Sequence, residues 1–291
     1  MDNELVASGF ASVSSAEVAD SFAMIEARPA PDIGDLVLRY QGFEAHRPTV
    51  FDDRQPAGLF FPLIVNFGPR WTIASGGVRP GDHDSFAAGL IDRFTDIRCD
   101  GAAACLQIDF TPFGARAFFG LPLNEIAEQV VALDDLMGQE GRDFIDRLGH
   151  LRDWRARLDL ADRFVRGRLR QAPPAERRIA AAWRAIAASH GAARIADVAA
   201  SLDCSREHLT RRFRDQIGHG PKTVARIFRH RNVCRLAGEL DFDWAAIAHE
   251  TGYADQAHLV REFSRMQGRT PTAWAASHSF NTERGGHGTL G

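Results

Sequence analysis

The chain of 291 residues is 45% hydrophobic and 25% charged, a composition that is typical of folded proteins and excludes a largely disordered chain. This length favours two domains, with room for a connector between them. No stretch approaches the roughly 18 apolar residues of a membrane span. The first 20 residues lack the basic and apolar segments of a secretory signal, and four scattered cysteines do not form a disulfide framework. We therefore expect a cytoplasmic protein.

The net charge of −3 is unevenly distributed along the chain. Residues 1–174 contain 18 arginines and 26 acidic residues, a balance of −8, whereas residues 175–277 contain 16 basic and 11 acidic residues, a balance of +5. An acidic first part joined to a basic second part predicts that the second part meets a polyanion.

The pattern between residues 36 and 110 predicts β-structure. Leu106, Ile108 and Phe110 alternate with polar residues, as in a half-buried strand. The apolar run from Phe60 to Phe67 predicts a buried strand. Further strands are predicted at 36–43 and 86–97, and turns at Gly76-Gly77 and Pro80-Gly81-Asp82.

After Pro112 the apolar residues recur at helical spacing, over 112–119, 123–130 and 140–169. The segment Gln171-Ala172-Pro173-Pro174 interrupts this pattern, because proline has no backbone N–H to donate and disfavours a helix before it. We place a domain boundary there.

Beyond this boundary the sequence repeats itself at an offset of 50 residues. His208–Phe213 (HLTRRF) matches His258–Phe263 (HLVREF), and Gly218 and Pro221 match Gly268 and Pro271. An internal duplication is the strongest structural signal in the sequence.

Each copy has the pattern of a helix-turn-helix unit. The predicted N-caps, helix-ending glycines and first-turn prolines are Ser205, Gly218 and Pro221 in the first copy, and Asp243, Asp255, Gly268 and Pro271 in the second. The predicted buried faces of the second helices are Leu209, Phe213 and Ile217, and Leu259, Phe263 and Met266. A helix from Pro221 to Leu240 joins the copies. Its roughly 20 residues span about 30 Å, near the roughly 34 Å between successive major-groove faces of DNA.

These residues resemble the AraC/XylS family of bacterial transcription regulators over about 173–277. The most specific part is Gly252–Phe263 (GYADQAHLVREF) followed by Gly268-Arg269-Thr270-Pro271, which is similar to the family signature. Asp203 stands where a turn glycine is common, although Asp tolerates left-handed backbone. Trp274-Ala275 stands where the family often has an aromatic residue followed by a basic one.

By the family's pattern, the exposed faces of the two second helices, at about 205–216 and 255–266, contact DNA. The residues that the resemblance implies are Ser205, Arg206, Glu207, Thr210, Arg211 and Arg214 in the first copy, and Gln256, Ala257, Val260, Arg261 and Arg265 in the second. Arginine suits guanine, glutamine suits adenine, and small apolar side chains suit the thymine methyl group. We expect Arg211 and Arg261 to read bases, and the phosphate contacts to come from Arg212, Arg214, Arg265 and Arg269.

The front of the chain is less specific. Residues 106–138 resemble the β-rich front domains of some family members, which implies a small-molecule effector site or a dimerisation surface. Six aromatic residues are candidates for lining an effector pocket, with an ordinary hydrophobic core as the alternative: Phe60, Phe61, Phe67, Trp71, Phe86 and Phe94.

Two enzymatic alternatives lack their chemistry in the sequence. A cupin-type metal enzyme needs clustered imidazoles, but the β-region offers only His46 and His83, and the chain has no HxH pair. A DNA-repair alkyltransferase needs clustered or activated cysteines. Cys99 and Cys105 lack such neighbours and are expected to be buried thiols, with a redox pair as the alternative. We expect no catalytic site, no metal and no cofactor.

The sequence thus predicts an α+β protein with a β-rich sensor or dimerisation domain at 1–137, a helical connector at 138–172, an AraC-type DNA-binding domain at 173–278 and a flexible tail at 279–291. The predicted function is sequence-specific regulation of transcription on double-stranded DNA. RNA polymerase, a small-molecule effector and a second copy of the chain are further candidate partners. The alternatives are a β-barrel enzyme or binding protein with a regulatory DNA-binding domain, and a constitutive DNA-binding protein with a structural front domain.

Overall fold

The computed structural model describes residues 10–18, 22–75, 78–239 and 243–282. Across these residues a β-rich front part is followed by helices, which confirms the α+β class that the sequence predicts. The turn predicted at Gly76-Gly77, residue Leu240 of the predicted long helix, and residues 283–291 of the predicted tail lie outside the described residues.

The front part forms two antiparallel sheets. In the described residues the larger sheet has seven strands, in the spatial order β1 (Phe10–Val18), β2 (Phe22–Pro29), β3 (Val37–Ala45), β10 (Ala104–Phe110), β5 (Phe61–Asn66), β8 (Phe86–Ala88) and β11 (Val130–Ala132). The smaller sheet has four described strands, in the order β4 (Thr49–Gln55), β9 (Thr95–Gly101), β6 (Trp71–Ser75) and β7 (Val78–His83). The strands predicted from the apolar patterns are present, with 86–97 divided between β8 and β9.

Alternation along the central strands gives the larger sheet two different apolar faces. Leu106, Ile108 and Phe110 of β10 pack with helices in the main core, whereas Cys105 of the same strand belongs to a second core. The second core lies between the two sheets and consists of Ile64, Trp71, Ile73, Phe86, Cys99, Ala103 and Cys105. The front part is therefore layered as small sheet, large sheet and helices.

The turn predicted at Pro80-Gly81-Asp82 was wrong, because these residues lie within β7. Thr72 pairs with Asp82, and Ile73 pairs with Gly81. β7 is an outer strand of the smaller sheet, where the missing N–H of a proline leaves no gap in the ladder. Pairing with β6 therefore overrides the local turn preference.

Helix α1 (Pro112–Phe119) follows β10 directly, as predicted. The helix predicted over 123–130 was wrong, because a short 3₁₀ helix (Leu123–Glu125) is followed by strand β11. β11 pairs with β8, a strand that is distant in the sequence. Local apolar spacing does not reveal such a partner.

The single helix predicted over 140–169 is in fact two helices, α2 (Leu133–Gly149) and α3 (Trp154–Gln171). A new helix begins after this break because Asp153 caps the N-terminus of α3, where its side chain accepts a hydrogen bond from Ala156 N at 2.8 Å. An aspartate at this position is a signal that the apolar period alone does not capture.

Helix α3 is fastened to the larger sheet by polar side chains. Tyr40 Oη donates to Asp162 Oδ1 at 3.0 Å, and Trp154 Nε1 donates to Glu44 Oε2 at 2.8 Å. Burial raises the pKa of Tyr40 and the adjacent Asp162 raises it further, so the phenol stays a donor. Arg166 then balances the charge of Asp162 through an ion pair of 2.7 Å. Helix α3 and the larger sheet consequently form one packed unit.

The remaining helices are α4 (Arg177–Ala188), α5 (Ile195–Ser201), α6 (Arg206–Ile217), α7 (Pro221–Glu239), α8 (Trp244–Glu250), α9 (Gln256–Gln267) and α10 (Pro271–Thr282). The pairs α5–α6 and α8–α9 are the two predicted helix-turn-helix units, joined by α7. Pro221 and Pro271 begin α7 and α10, as predicted. Helix α10 includes residues 279–282 of the predicted tail.

The main core continues from the front part into the first helix-turn-helix unit. Phe110 and Phe118 share it with Phe213 of α6. At its edge the ring of Phe113 lies 5.9 Å from the ring of Trp183 in α4. The second unit has a core of its own, to which Phe263 belongs.

Candidate nucleic-acid interface

The second helix of each unit begins at a capped N-terminus, as predicted. Ser205 Oγ accepts a hydrogen bond from His208 N at 3.1 Å, and Asp255 Oδ1 accepts one from His258 N at 2.6 Å. The turn before α6 contains Asp203 at a φ of 50°, the left-handed conformation that Asp tolerates. The caps fix where α6 and α9 start, and so which residues lie in their first turns.

Buried side chains determine which face of α6 and α9 turns outward. The predicted inward residues Leu209, Phe213 and Ile217 of α6, and Leu259, Phe263 and Met266 of α9, are all buried. The predicted site residues lie on the opposite faces: Arg206, Glu207, Arg211, Arg214, Gln256, Ala257 and Arg261 are exposed, and Thr210 and Val260 are half-buried. Ser205 is exposed at the N-cap.

The outward face of α6 presents guanidinium groups that have no carboxylate partner among the residues that the structure describes. Thr210 Oγ1 donates to Arg206 O at 2.8 Å, and Arg211 Nη2 lies 3.3 Å from His208 Nδ1. Within the described part of the chain, Arg206, Arg211 and Arg261 form no ion pair. A guanidinium carries five N–H donors and suits both guanine edges and phosphates.

The four arginines expected at phosphates have different surroundings. Arg214 and Arg269 are exposed. Arg212 instead turns toward α4, where its Nε and Nη2 each lie 2.9 Å from Glu176 Oε2. This pairing gives Arg212 a structural task, because it ties α6 to the start of α4.

Helix α7 fixes the two units relative to each other. Arg226 Nε lies 3.0 Å from Glu262 of α9, and Arg229 Nη2 donates to Gly191 O at 3.1 Å. Gly191 has a φ of 81°, and a Cβ there would lie only 2.0 Å from a carbonyl oxygen of α7. This close approach requires glycine and locks the first unit against α7.

Two further residues take part that the sequence patterns did not reveal. Asp92 Oδ2 lies 2.7 Å from Arg265 Nη2 and 3.0 Å from Arg226 Nη2. Asn124 lines a groove of about 490 Å³ together with the outward residues Arg206, Glu207, Thr210, Arg211 and Arg214 of α6. Asp92 and Asn124 are far away in sequence, and nothing in their local pattern marks them.

Five of the six aromatic candidates for an effector pocket are divided among different surroundings. Phe61 belongs to the main core, whereas Trp71 and Phe86 belong to the core between the sheets. Phe67 lies beneath the guanidinium of Arg157, and Phe94 beneath that of Arg54. The hydrophobic-core alternative therefore fits these residues better than a shared pocket.

Cys99 and Cys105 are buried free thiols, as expected. Burial raises the pKa of Cys105 to about 12, which keeps the thiol protonated and unreactive. His46 is exposed and His83 half-buried, where burial lowers the pKa of His83. In the described ranges, no three His, Cys, Asp or Glu side chains are grouped to hold a metal ion. No helix in these ranges has the length and apolar character to cross a membrane.

Two families match different parts of this chain. Residues 198–277 match a family described as helix-turn-helix domain, and residues 25–132 match a family described as domain of unknown function (DUF6597). No curated protein matches the chain.

Several solved structures are similar at low identity. ToxT from Vibrio cholerae matches over 79% of this chain and 98% of its own, with 10% identity and a TM-score of 0.42. The C-terminal domain of AraT, a response regulator from Geobacillus stearothermophilus, matches over 35% of this chain and 86% of its own, with 19% identity and a TM-score of 0.33. The DNA-binding domain of AdpA, solved with a target DNA, matches over 38% of this chain and all of its own, with 23% identity and a TM-score of 0.35.

Proposed function

We propose that this chain reads specific DNA sequences by inserting α6 and α9 into adjacent major grooves. The proposal starts from its AraC/XylS-type double helix-turn-helix domain, which is of the DNA-binding transcription regulator type. The observation that carries this proposal is the equivalence of the two outward faces. Both helices start at a side-chain cap, bury a leucine and a phenylalanine at equivalent positions (Leu209 and Leu259, Phe213 and Phe263), and expose arginine at the equivalent positions Arg211 and Arg261.

The proposed division of labour follows from position along each helix. Residues in the first turns, among them Arg206, Arg211, Gln256 and Arg261, contact base edges, because the N-terminal residues of a recognition helix enter the groove. Arg214 lies beyond them, where the helix leaves the groove, and contacts phosphate. Arg265 has the equivalent task in α9. The 19 residues of α7 span about 28 Å, which suits two units on one side of the duplex.

The proposed arrangement of the whole chain is a control domain at 1–137, a connector at 138–172, a DNA-binding domain at 173–278 and a tail at 279–291. We propose that the control domain binds a small apolar or amphipathic effector and that the protein works in the bacterial cytoplasm, where the chromosome is. RNA polymerase and a second copy of the chain are the further proposed partners. Catalysis has no part in this proposal.

The experiment for DNA reading uses the full chain. Selection of bound sequences from random DNA should yield one preferred site with two conserved segments about 10 base pairs apart. The logarithm of its binding constant should fall linearly with the logarithm of salt concentration, because arginines displace counterions from phosphates. Failure to bind any duplex at low salt would overturn the proposal.

The effector has a separate test. The best-placed aromatic rings are those of Phe22, Phe43 and Phe51. All three are half-buried, Phe43 and Phe51 pack against the core between the two sheets, and the ring of Phe43 lies 5.1 Å from that of Phe22 and 5.5 Å from that of Phe51. A metabolite panel is screened by thermal shift, since a ligand at about 100 times its Kd stabilises by about 2.7 kcal/mol. Phe51→Ala should abolish a true shift, and Val50→Ala on the opposite face should not. No shift with any compound would favour a purely structural front domain.

A further inference from the structure

A buried carboxylate of the front part binds two arginines of the DNA-binding part. Asp92 is only 6% exposed and lies between β8 and β9. Its two carboxylate oxygens accept hydrogen bonds from Arg265 Nη2 of α9 at 2.8 and 2.7 Å, and Oδ2 also accepts one from Arg226 Nη2 of α7 at 3.0 Å. Asp92 thus neutralises Arg265, which we assigned to DNA phosphate.

The same region of the front part caps the C-terminal end of α9. Phe94 N donates to Arg265 O at 3.2 Å, and Ala57 N donates to Met266 O at 2.9 Å. Arg54 Nη1 donates to Gly268 O at 2.7 Å. The last carbonyls of a helix have no partner within the helix, so the front part satisfies groups that would otherwise face water.

The end of α6 is held by the front part as well. His219 Nε2 lies 2.9 Å from both Leu90 O and Glu128 Oε1. Asn124 of the 3₁₀ helix, which lies four residues before Glu128, forms one wall of a groove. The other wall of this groove is the outward face of α6. The front part therefore lies beside both recognition helices.

This placement conflicts with insertion of α6 into DNA. An α-helix with its side chains is about 10–12 Å wide, and the major groove is about 12 Å wide. A recognition helix fills the groove, so a second protein wall along its outward face meets the DNA backbone. The acidic balance of residues 1–174 adds repulsion of phosphate.

We propose that the described arrangement is a closed state in which the front part blocks DNA binding, and that Asp92 is the latch that holds it closed. This inference rests on the proposed function. DNA phosphate and the Asp92 carboxylate compete for Arg265, and the 3₁₀ helix must withdraw before α6 enters the groove. The apparent Kd of the protein for its site equals the Kd of the open state divided by the open fraction. Weakening the latch raises that fraction.

The first test compares Asp92→Asn with Asp100→Asn in the full chain. Asp100 is an exposed acidic residue of the same part that pairs with Arg98 of its own strand, so it controls for the lost charge. We expect Asp92→Asn to tighten binding of the selected site about 3- to 30-fold, the range between a surface ion pair and a buried charge-assisted bond. We expect the salt dependence to steepen by about one ion. In an Arg265→Ala background the gain from Asp92→Asn should shrink.

A second measurement needs no variant and so is independent of folding defects. Hydrogen exchange of the wild type is followed with and without the selected DNA. The amides of Ala57 and Phe94 should exchange faster when DNA is bound, because their acceptors on α9 move away. The amide of Phe67, which donates to Ala104 O at 2.8 Å within the front part, should not change.

The outcomes distinguish failure of the proposed function from failure of the Asp92 latch. If the wild type binds no duplex even at low salt, the proposed function fails, and the latch fails with it. If the wild type binds its site but Asp92→Asn binds equally or more weakly, the latch alone is overturned. The latch is also overturned if Ala57 and Phe94 keep their protection in the DNA complex.

Discussion

The arginines of α6 and α9 show how position decides what one residue type does. Arg211 and Arg261 are exposed on the outward faces, whereas Arg212, one residue further along α6, is paired with Glu176. Arg265 is paired with Asp92 across two parts of the chain. Sequence spacing predicts the outward residues, because burial of every third or fourth side chain fixes the rotation of a helix. It does not reveal ion pairs with residues that are distant in the sequence.

The first prediction separates base reading from phosphate binding. Arg211→Ala and Arg261→Ala should each cost about 1–3 kcal/mol on the preferred site and relax one position in it, whereas Arg214→Ala should weaken all sequences alike and reduce the salt slope by about one. Competition binding on point-mutated sites measures both effects. Arg152→Ala, which removes an exposed arginine between α2 and α3, is the matched control. Equal weakening of random and preferred DNA by Arg211→Ala and Arg261→Ala would refute their role as base readers.

A second residue-scale prediction concerns His230, which is 2% exposed on α7 and packs 4.9 Å from the ring of Phe263. Burial lowers the pKa of His230 to about 4, from about 6.5 in an unfolded chain. Above pH 6.5 His230 is neutral in both the folded and the unfolded chain, so its protonation does not lower the free energy of unfolding. As the pH falls toward 4 only the unfolded state gains the proton, so the free energy of unfolding should fall by about 3 kcal/mol.

Denaturant titrations between pH 7 and 4 measure this loss. His230→Leu, which replaces the imidazole by an apolar side chain of similar volume, should remove most of the pH dependence. His249→Leu changes an exposed histidine of the second unit and serves as control. A pH dependence that His230→Leu leaves intact would contradict the assignment.

At the scale of elements, the sequence predicted best what neighbouring residues determine. Ser205, Asp243 and Asp255 all cap helices as expected, because a cap depends on a side chain and a backbone N–H two or three residues away. The incorrect predictions concern elements whose secondary structure depends on a partner that is distant in the sequence. Pro80-Gly81-Asp82 became strand by pairing with β6, and β11 became strand by pairing with β8.

The element-scale prediction compares two glycines of the second unit. Gly252 and Gly268 have φ angles of 75° and 69°, so alanine is strained at both by about 1–2 kcal/mol. A Cβ on Gly252 meets nothing within 4 Å, whereas a Cβ on Gly268 would lie 2.8 Å from Phe94 Cγ. Gly268→Ala should therefore lower the free energy of unfolding more than Gly252→Ala. Chemical denaturation measures the difference, and equal losses would show that the contact of α9 with the front part contributes nothing.

At the scale of the whole molecule, the sequence predicts a domain boundary near 171–174. α3 ends at Gln171 and α4 starts at Arg177, so the chain does break there. The main core nevertheless joins the front part, the connector and the first helix-turn-helix unit. Apolar faces at 3.6-residue spacing reveal that a helix is buried, but not against which neighbour. The main core also includes Met266 at the end of α9, whereas most buried residues of the second unit, from Val233 of α7 onward, form a separate core around Phe263.

The internal duplication supplies a matched pair of variants that tests which elements share the main core. Phe213 and Phe263 occupy equivalent positions in the two copies, and both are at most 1% exposed. Truncation to alanine should cost about 3–5 kcal/mol at each.

Phe213→Ala should lower the hydrogen-exchange protection of α6 and β10 together, because both belong to the main core. Phe263→Ala should lower the protection of α8, α9 and α10 and leave β10 unchanged, since its cluster contains no strand residue. If Phe213→Ala leaves β10 protected, the front part and the first unit fold as separate domains, and a fragment starting at residue 173 would keep an intact core.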